Sequence, residues 1–325
     1  MLEEGKVIII REYEREDYSD LIRSGYPFGS YLKPDARNWV KNLLLSRKET
    51  KKFIWKILFP GQEEITLVAF CEEEKEAVGV VKLRKITDKL WGVWDIFVSP
   101  AYRGRRIASS LYQESLRVLK RRKAKKAVGT VVSDNIASIK SIKRNWQGFL
   151  SKRVFNCFRK RPLNKPSSTE IIVRRLRNSK EKNLFQIYRR CVGKPWCDFL
   201  EITQDNYLDR IFGMAGMEPI SKSIIAKMAL RKEVFIAEYE KELCGYAVSC
   251  MMQPFYAGYA LHLFVPISEN FEEVSKALLL KALNPLLLKK LGAFSFVYIG
   301  EAEVQDRLRE LGFETRENLV AYNYL

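Results

Sequence analysis

The feature that most constrains this chain is that it contains the same pattern twice. KVIIIREYEREDYSDLI (Lys6–Ile22) lies over TEIIVRRLRNSKEKNLFQI (Thr169–Ile187), with Ile10 on Val173 and Leu21 on Leu184, an offset of 163. LVAFCEEEKEAVGVV (Leu67–Val81) matches FIAEYEKELCGYAV (Phe235–Val248), each a strand, an acidic turn and a glycine-containing strand. WDIFVSP (Trp94–Pro100) then matches LHLFVP (Leu261–Pro266), and QGFLSKRVFN (Gln147–Asn156) matches LGFETRENLV (Leu311–Val320). A repeat of this length means two copies of one folding unit, and 325 residues is ample for two ordinary domains. The expected division is 1–160, a linker at 161–170 inside the polar stretch RKRPLNKPSST (Arg159–Thr169), and 171–325.

Within the first copy, strands and helices alternate, which reads as an α/β chain. Strands are expected at Val7–Tyr13, Ile65–Cys71, Ala77–Arg84, Val93–Val98, Ala127–Val132 and Val154–Arg159, with helical segments at Asp17–Arg47, Ile107–Lys123 and Ala137–Trp146. The Ile107–Lys123 segment is the clearest. At 100° per residue, Ile107, Ala108, Leu111, Tyr112, Leu116, Val118 and Leu119 share one half of the wheel, and Arg106, Gln113, Arg117, Lys120 and Arg121 the other.

Counts exclude several chemistries. The six cysteines contain no C-x-x-C pair, and His262 is the single histidine, so zinc ligand sets cannot be assembled and no metal is expected. Serine or cysteine hydrolase triads could rest only on His262. No apolar run reaches the ~18–20 residues that span a bilayer. MLEEGKVIII is acidic before it is apolar, the reverse of a secretory signal, so a cytoplasmic protein without a membrane partner is expected.

The net charge of +18 is concentrated: Ala101–Lys165 carries 19 Lys and Arg against Glu114 and Asp134 alone, leaving the other 260 residues near neutral. Such a segment attracts polyanions, and weak nucleic-acid binding through residues 101–165 is one reading. A solvated helix face, with the lysine enrichment of heat-adapted proteins, is the reading preferred on sequence alone.

Inside that segment, SPAYRGRRIASSLY (Ser99–Tyr112) joins a strand to the amphipathic helix through a basic, glycine-containing loop. A loop of this kind presents backbone N–H groups at the positive end of a helix dipole, a ready anion site.

The stretch WDIFVSPAYRGRRIASSLY resembles the acetyl-CoA signature of the GNAT N-acetyltransferase superfamily, a strand, V-x-P-x-Y-R-G, then Q/R-x-x-G-x-G/A leading into a helix. VVSDNIASI (Val131–Ile139) and QGF (Gln147–Phe149) resemble that family's next strand, its Asn-led helix and its closing G-F. The resemblance covers the first copy; the second matches in element order but lacks the signature. It implies two tandem modules, each a mixed, mostly antiparallel twisted sheet flanked by helices, and an acetyl-CoA-dependent N-acetyltransferase. It places Ile96, Phe97 and Val98 on a splayed strand that pairs with the pantetheine arm. Arg103, Gly104, Arg105, Arg106, Ile107, Ala108 and Ser109 fall on the loop and helix start that hold the pyrophosphate, and Asn135 and Ser138 on further cofactor contacts.

The sequence departs from the family twice. Arg106 replaces a glycine of the signature, and Ile142 stands seven residues after Asn135, where the family commonly has the tyrosine that protonates the leaving thiolate. Ser141 is the nearest hydroxyl and the candidate acid. Asp95 is the candidate base for the acceptor amine, although a strand aspartate also serves simply as a backbone hydrogen-bond partner.

The second copy has VPISENFEEVSKALL (Val265–Leu280) in place of the glycine-arginine loop, bringing Glu269, Glu272 and Glu273 where phosphates would sit, so it is expected not to bind cofactor. His262 aligns with Asp95 and is expected to be a packing residue. Asn284-Pro285 suggests a kinked or shortened helix. Trp39, Phe53 and Trp55 read as core or interface residues near the acceptor, a small-molecule or peptide amine. A non-catalytic acyl-CoA sensor remains the third reading, suggested by Ile142.

Overall fold

The computed structural model describes residues 7–14, 16–26, 63–159, 163, 170–176, 183–208, 230–252, 258–282 and 294–325. Trp39, Phe53, Trp55, most of the linker and Asn284-Pro285 lie outside them.

The first copy contributes β1 (Ile8–Glu12), α1 (Asp17–Arg23), β2 (Glu64–Cys71), β3 (Glu76–Lys85), β4 (Leu90–Val98), α2 (Ile107–Arg121), β5 (Lys126–Val132), α3 (Ile136–Asn145) and β6 (Gly148–Arg159). The second contributes β7 (Ile172–Arg175), α4 (Asn183–Val192), α5 (Lys194–Leu200), β8 (Leu230–Tyr239), β9 (Glu242–Met252), β10 (Gly258–Phe264), α6 (Phe271–Ala282), β11 (Phe294–Gly300), α7 (Val304–Glu310) and β12 (Glu314–Tyr324). The chain is thus the expected mixed α/β protein built from two like halves.

The twelve described strands form one sheet in the order β1-β2-β3-β4-β5-β12-β6-β11-β10-β9-β8-β7. All neighbours are antiparallel except β4 with β5 and β10 with β11. The order reads as a pseudo-twofold about the β12–β6 seam, and each copy's closing strand has crossed to the other copy. β12 pairs with β5 from Asn318↔Val132 to Tyr324↔Lys126, and β6 pairs with β11 from Arg153↔Gly300 to Arg159↔Phe294. Each copy's sheet is therefore continued by a strand encoded far away in the chain and belonging to the other copy, and a strand edge left bare is an aggregation hazard.

Period-two alternation sends side chains of one strand to opposite faces. Trp91, Ala127 and Val131 join a core beneath α2 and α3 with Ile107, Leu111, Leu119, Ile142 and Trp146. Leu90, Val128 and Val154 face the other way and join Leu184, Tyr188, Trp196 and Phe199 of α4 and α5 with Val320 of β12. That second core belongs to both copies. Around it, Thr87 Oγ1 donates to Glu201 Oε2 at 2.9 Å and Lys126 Nζ to the Phe199 carbonyl at 3.0 Å.

Helix α2 buries Ile107, Leu111, Tyr112, Ser115 and Leu119. Ser115 is the polar intruder on the apolar face, and its hydroxyl is satisfied by the Leu111 carbonyl at 2.7 Å.

Candidate active site

Parallel pairing of β4 with β5 runs from Leu90↔Lys126 to Gly92↔Val128 and stops. Beyond it the strands splay, so the β4 edge from Val93 to Val98, which carries Ile96, Phe97 and Val98, has no ladder partner on that side among the described residues. Two local features open the V. The first is close approach at its apex: a Cβ on Gly129 would meet the Val93 carbonyl at 3.0 Å and the Trp146 ring at 3.4 Å. The second is a bulge in β4. Val80 pairs with Phe97 and Lys82 with Trp94, so Asp95 and Ile96 together face Val81. Asp95 takes up the extra residue with φ +54°, left-handed territory that costs an L-residue about 1–2 kcal/mol. A non-glycine residue held there marks a constrained position.

The bulge aims Asp95 at Lys82, whose Nζ lies 3.3 Å from Asp95 Oδ2; the lysine is 15% exposed and the aspartate 51%. Tyr26 closes the same corner, with its ring 5.4 Å from Phe97 and 5.8 Å from Lys82 Nζ. Tyr26 opens the aromatic and basic stretch expected near the acceptor, whereas nothing in the sequence points to Lys82. Only the register across the bulge brings Lys82 to Asp95, and no local motif encodes that.

At the mouth of the V, the chain passes Arg103, whose Nε donates to the Val98 carbonyl at 3.2 Å. It then turns through Gly104 at φ +82°, where nothing lies within 4 Å of a Cβ position. Arg105 packs its guanidinium 5.2 Å over the Tyr102 ring. Arg106 caps α2 in the left-handed conformation, φ 61° and ψ 13°, with no side-chain cap hydrogen bond. The arginine at the signature's glycine position therefore makes the turn a glycine would make, with strain. The N–H groups of Ile107, Ala108 and Ser109, in the first helical turn, are left for an external acceptor.

Helix α3 lies parallel to α2: Ser109 Oγ and Ser141 Oγ are 3.2 Å apart, and Gln113 Nε2 donates to Asn145 Oδ1 at 3.2 Å. Two helix N-termini thus face the same end. Asn135 caps α3, its Oδ1 accepting from the Ser138 N–H at 3.1 Å. The arrangement brings Ser141 to Ser109 and Asp95 to Lys82, and keeps the two candidate proton carriers on different partners. Ile142 is buried in the α2–α3 core, so an apolar side chain fills the position where the family resemblance implies a phenol. Tyr112 is nearby in that core, but burial pushes its phenol well above the usual range.

The second copy differs at every one of these points. β10 and β11 stay paired at His262↔Val297 and Leu263↔Tyr298, at and beyond the residue aligned with Asp95. Its V is shut where the first is open. On the face toward α2, β5 carries Ala127, Gly129 and Val131; on the face toward α6, β11 carries Phe296 and Tyr298. Tyr298 reaches across the would-be cleft, donating to the Val265 carbonyl at 2.5 Å and packing edge-on against Phe271 at 5.9 Å. Glu273 pairs with Lys276 at 3.0 Å, and Glu272 approaches Lys276 and Arg307 at 3.9 Å, so the acidic helix start is partly neutralised. His262 is buried beside Phe264, a packing position.

A family model for the GNAT acetyltransferase family matches residues 30–149. The first copy carries a GNAT acetyltransferase domain. Solved GNAT structures extend the likeness to both copies. A GCN5-related N-acetyltransferase from Sphaerobacter thermophilus superposes with a TM-score of 0.58 at 12% identity, over 98% of this chain and 95% of that one. A tandem GNAT protein from the clavulanic acid biosynthesis pathway gives 0.56 at 11%, over 98% of each. At such identity the likeness establishes the tandem GNAT fold. No curated protein matches the chain significantly. Among the described residues, no cluster of side chains could hold a metal ion, and no helix is long and apolar enough to cross a membrane.

Proposed function

We propose that the first GNAT copy is the working acetyltransferase, moving an acetyl group from acetyl-CoA to a primary amine by direct transfer, while the second binds no cofactor. The observation that carries this reading is the asymmetry of the two clefts: the first is splayed beyond Gly92↔Val128 and lined by small residues, the second is paired through Leu263↔Tyr298 and filled by Tyr298.

The residues of the first cleft fit such a cofactor. Bound acetyl-CoA would supply an activated thioester carbonyl. The open edge of β4 at Ile96, Phe97 and Val98 offers backbone groups to an amide-bearing arm. The N–H groups from Gly104 to Ser109, with Arg103, Arg105 and Arg106, offer donors and positive charge to a diphosphate. Asn135 and Ser138, at the start of the parallel helix α3, lie at the same end.

Asp95 receives the proton of the acceptor amine, directly or through water, and Lys82 holds its carboxylate at the bulge. With Ile142 apolar, Ser141 is the hydroxyl left near the leaving thiolate. A thiol of pKa ~8.5 is already a tolerable anionic leaving group, and cationic surroundings improve it.

Isothermal titration should give one equivalent of acetyl-CoA per chain. A thiol-release assay over a panel of amines should then show turnover that falls at least tenfold in Asp95→Asn with unchanged cofactor affinity. Two equivalents, or none at millimolar cofactor, would overturn the reading. Saturable binding with no thiol release from any amine would favour instead a non-catalytic acyl-CoA sensor, the reading that the buried Ile142 supports.

A further inference from the structure

The basic segment has a three-dimensional shape that a count of charges does not show. Helices α2 and α3 run side by side in the same direction, held by the Ser109–Ser141 and Gln113–Asn145 pairs, with their apolar faces sunk in one core. Their outward faces therefore look the same way. Arg117, Lys120 and Arg121 on α2 and Lys140, Lys143 and Arg144 on α3 are all exposed on them. The single carboxylate of α2, Glu114, is shared by Arg117 at 3.1 Å and Arg121 at 3.0 Å, and α3 has none. Lys120, Lys140, Lys143 and Arg144 form no ion pair among the described residues.

We propose that this α2–α3 face is a nucleic-acid docking surface that grips the sugar-phosphate backbone without reading base sequence. Three observations favour that occupant. Exposed large apolar side chains are missing from the face apart from Ile136 at the first residue of α3, whereas a protein partner needs an apolar centre and a membrane surface rewards inserted apolar groups. The cations follow the C-terminal parts of two parallel helices, α2 being about 22 Å long, a length over which a duplex presents about a dozen phosphates. Half of the six are arginines, whose planar fork matches phosphate oxygens. The cations of α2, with Lys143 and Arg144 of α3, lie toward the helix ends far from the Arg103–Ser109 loop, and the surface they form does not depend on the acetyltransferase reading.

The test uses the full chain and two fluorescent probes, a 20-nucleotide oligouridylate and a mixed-sequence 20-base-pair DNA duplex, followed by anisotropy from 50 to 200 mM salt. Engagement of about four phosphates predicts a single-strand log–log slope near −3, or about a 50-fold loss of affinity over that range. The triple variant Lys120→Gln, Lys143→Gln, Arg144→Gln should weaken binding more than tenfold at 100 mM salt and flatten the slope by about two, with acetyl-CoA titration unchanged. The distant double variant Lys241→Gln, Arg309→Gln should behave as the parent. The proposal is overturned if neither probe binds, if the triple variant binds like the parent, or if polyglutamate or phosphatidylserine vesicles compete as well as the oligonucleotides do.

Discussion

Val320 sits on β12, the strand that the second copy lends to the first, and its side chain is fully buried in the core shared by both. Val320→Ala removes two methyl groups there. Transfer at about 0.8 kcal/mol per carbon plus a small cavity term gives a destabilisation of about 2–3 kcal/mol. Because β12 lies between β5 and β6, the two copies are expected to unfold together. With an unfolding entropy of about 2.1 cal/mol/K per residue spread over the whole chain, the single transition should move down by about 4 °C. If instead the copies melted separately, the same loss would fall on about half the residues and lower one transition by about 7–8 °C, with the other unmoved. Scanning calorimetry distinguishes the two patterns directly. Two resolved transitions, one of them indifferent to Val320→Ala, would refute the argument that exchanged strands make the copies one cooperative unit.

Three further outcomes follow from local geometry. At φ 61° a Cβ is penalised, so Arg106→Gly should be more stable than Arg106→Ala by about 1 kcal/mol in denaturant titration, and equal stabilities would show that the left-handed cap does not exist in solution. Tyr298→Phe removes the donor to the Val265 carbonyl and should cost about 1–2 kcal/mol, without creating a second acetyl-CoA site detectable by calorimetry. Burial pushes the Cys191 thiol up to about 12 and the Cys197 thiol up to about 11. Both lie above the unfolded thiol value of ~8.5, so their contribution to stability is complete below that pH and is lost as pH rises toward 11–12. The melting temperature should therefore fall between pH 8.5 and 11, and iodoacetamide at pH 8 should leave both cysteines unlabelled in the native protein; rapid labelling would contradict their burial.

The sequence by itself determined what is local. The internal repeat announced two like units, and alternation and 3.6-residue periodicity placed β2, β3, β5 and α2 within a few residues, because each of those elements records its own buried face. The loop from Arg103 to Ser109 was legible for the same reason: strand end, turn and helix start are neighbours in the chain. Most of the first helical segment expected at 17–47 lies outside the described residues, with α1 at its start.

Tertiary structure alone decided the rest. The hydrogen-bonding edges of a lone β6 or β12 carry no address, so nothing in either strand says that it must pair with the other copy; that follows from which edge and which core are left uncovered once both sheets assemble. Lys82 meets Asp95 only because a bulge shifts register across β3 and β4. Three carboxylates led to the expectation that the second copy binds no cofactor, but Glu272 and Glu273 are partly neutralised by Lys276 and Arg307. What closes that cleft more firmly is Tyr298, a residue whose significance depends on where β11 stops diverging from β10, and that point is set by packing across the sheet and not by any run of neighbouring residues.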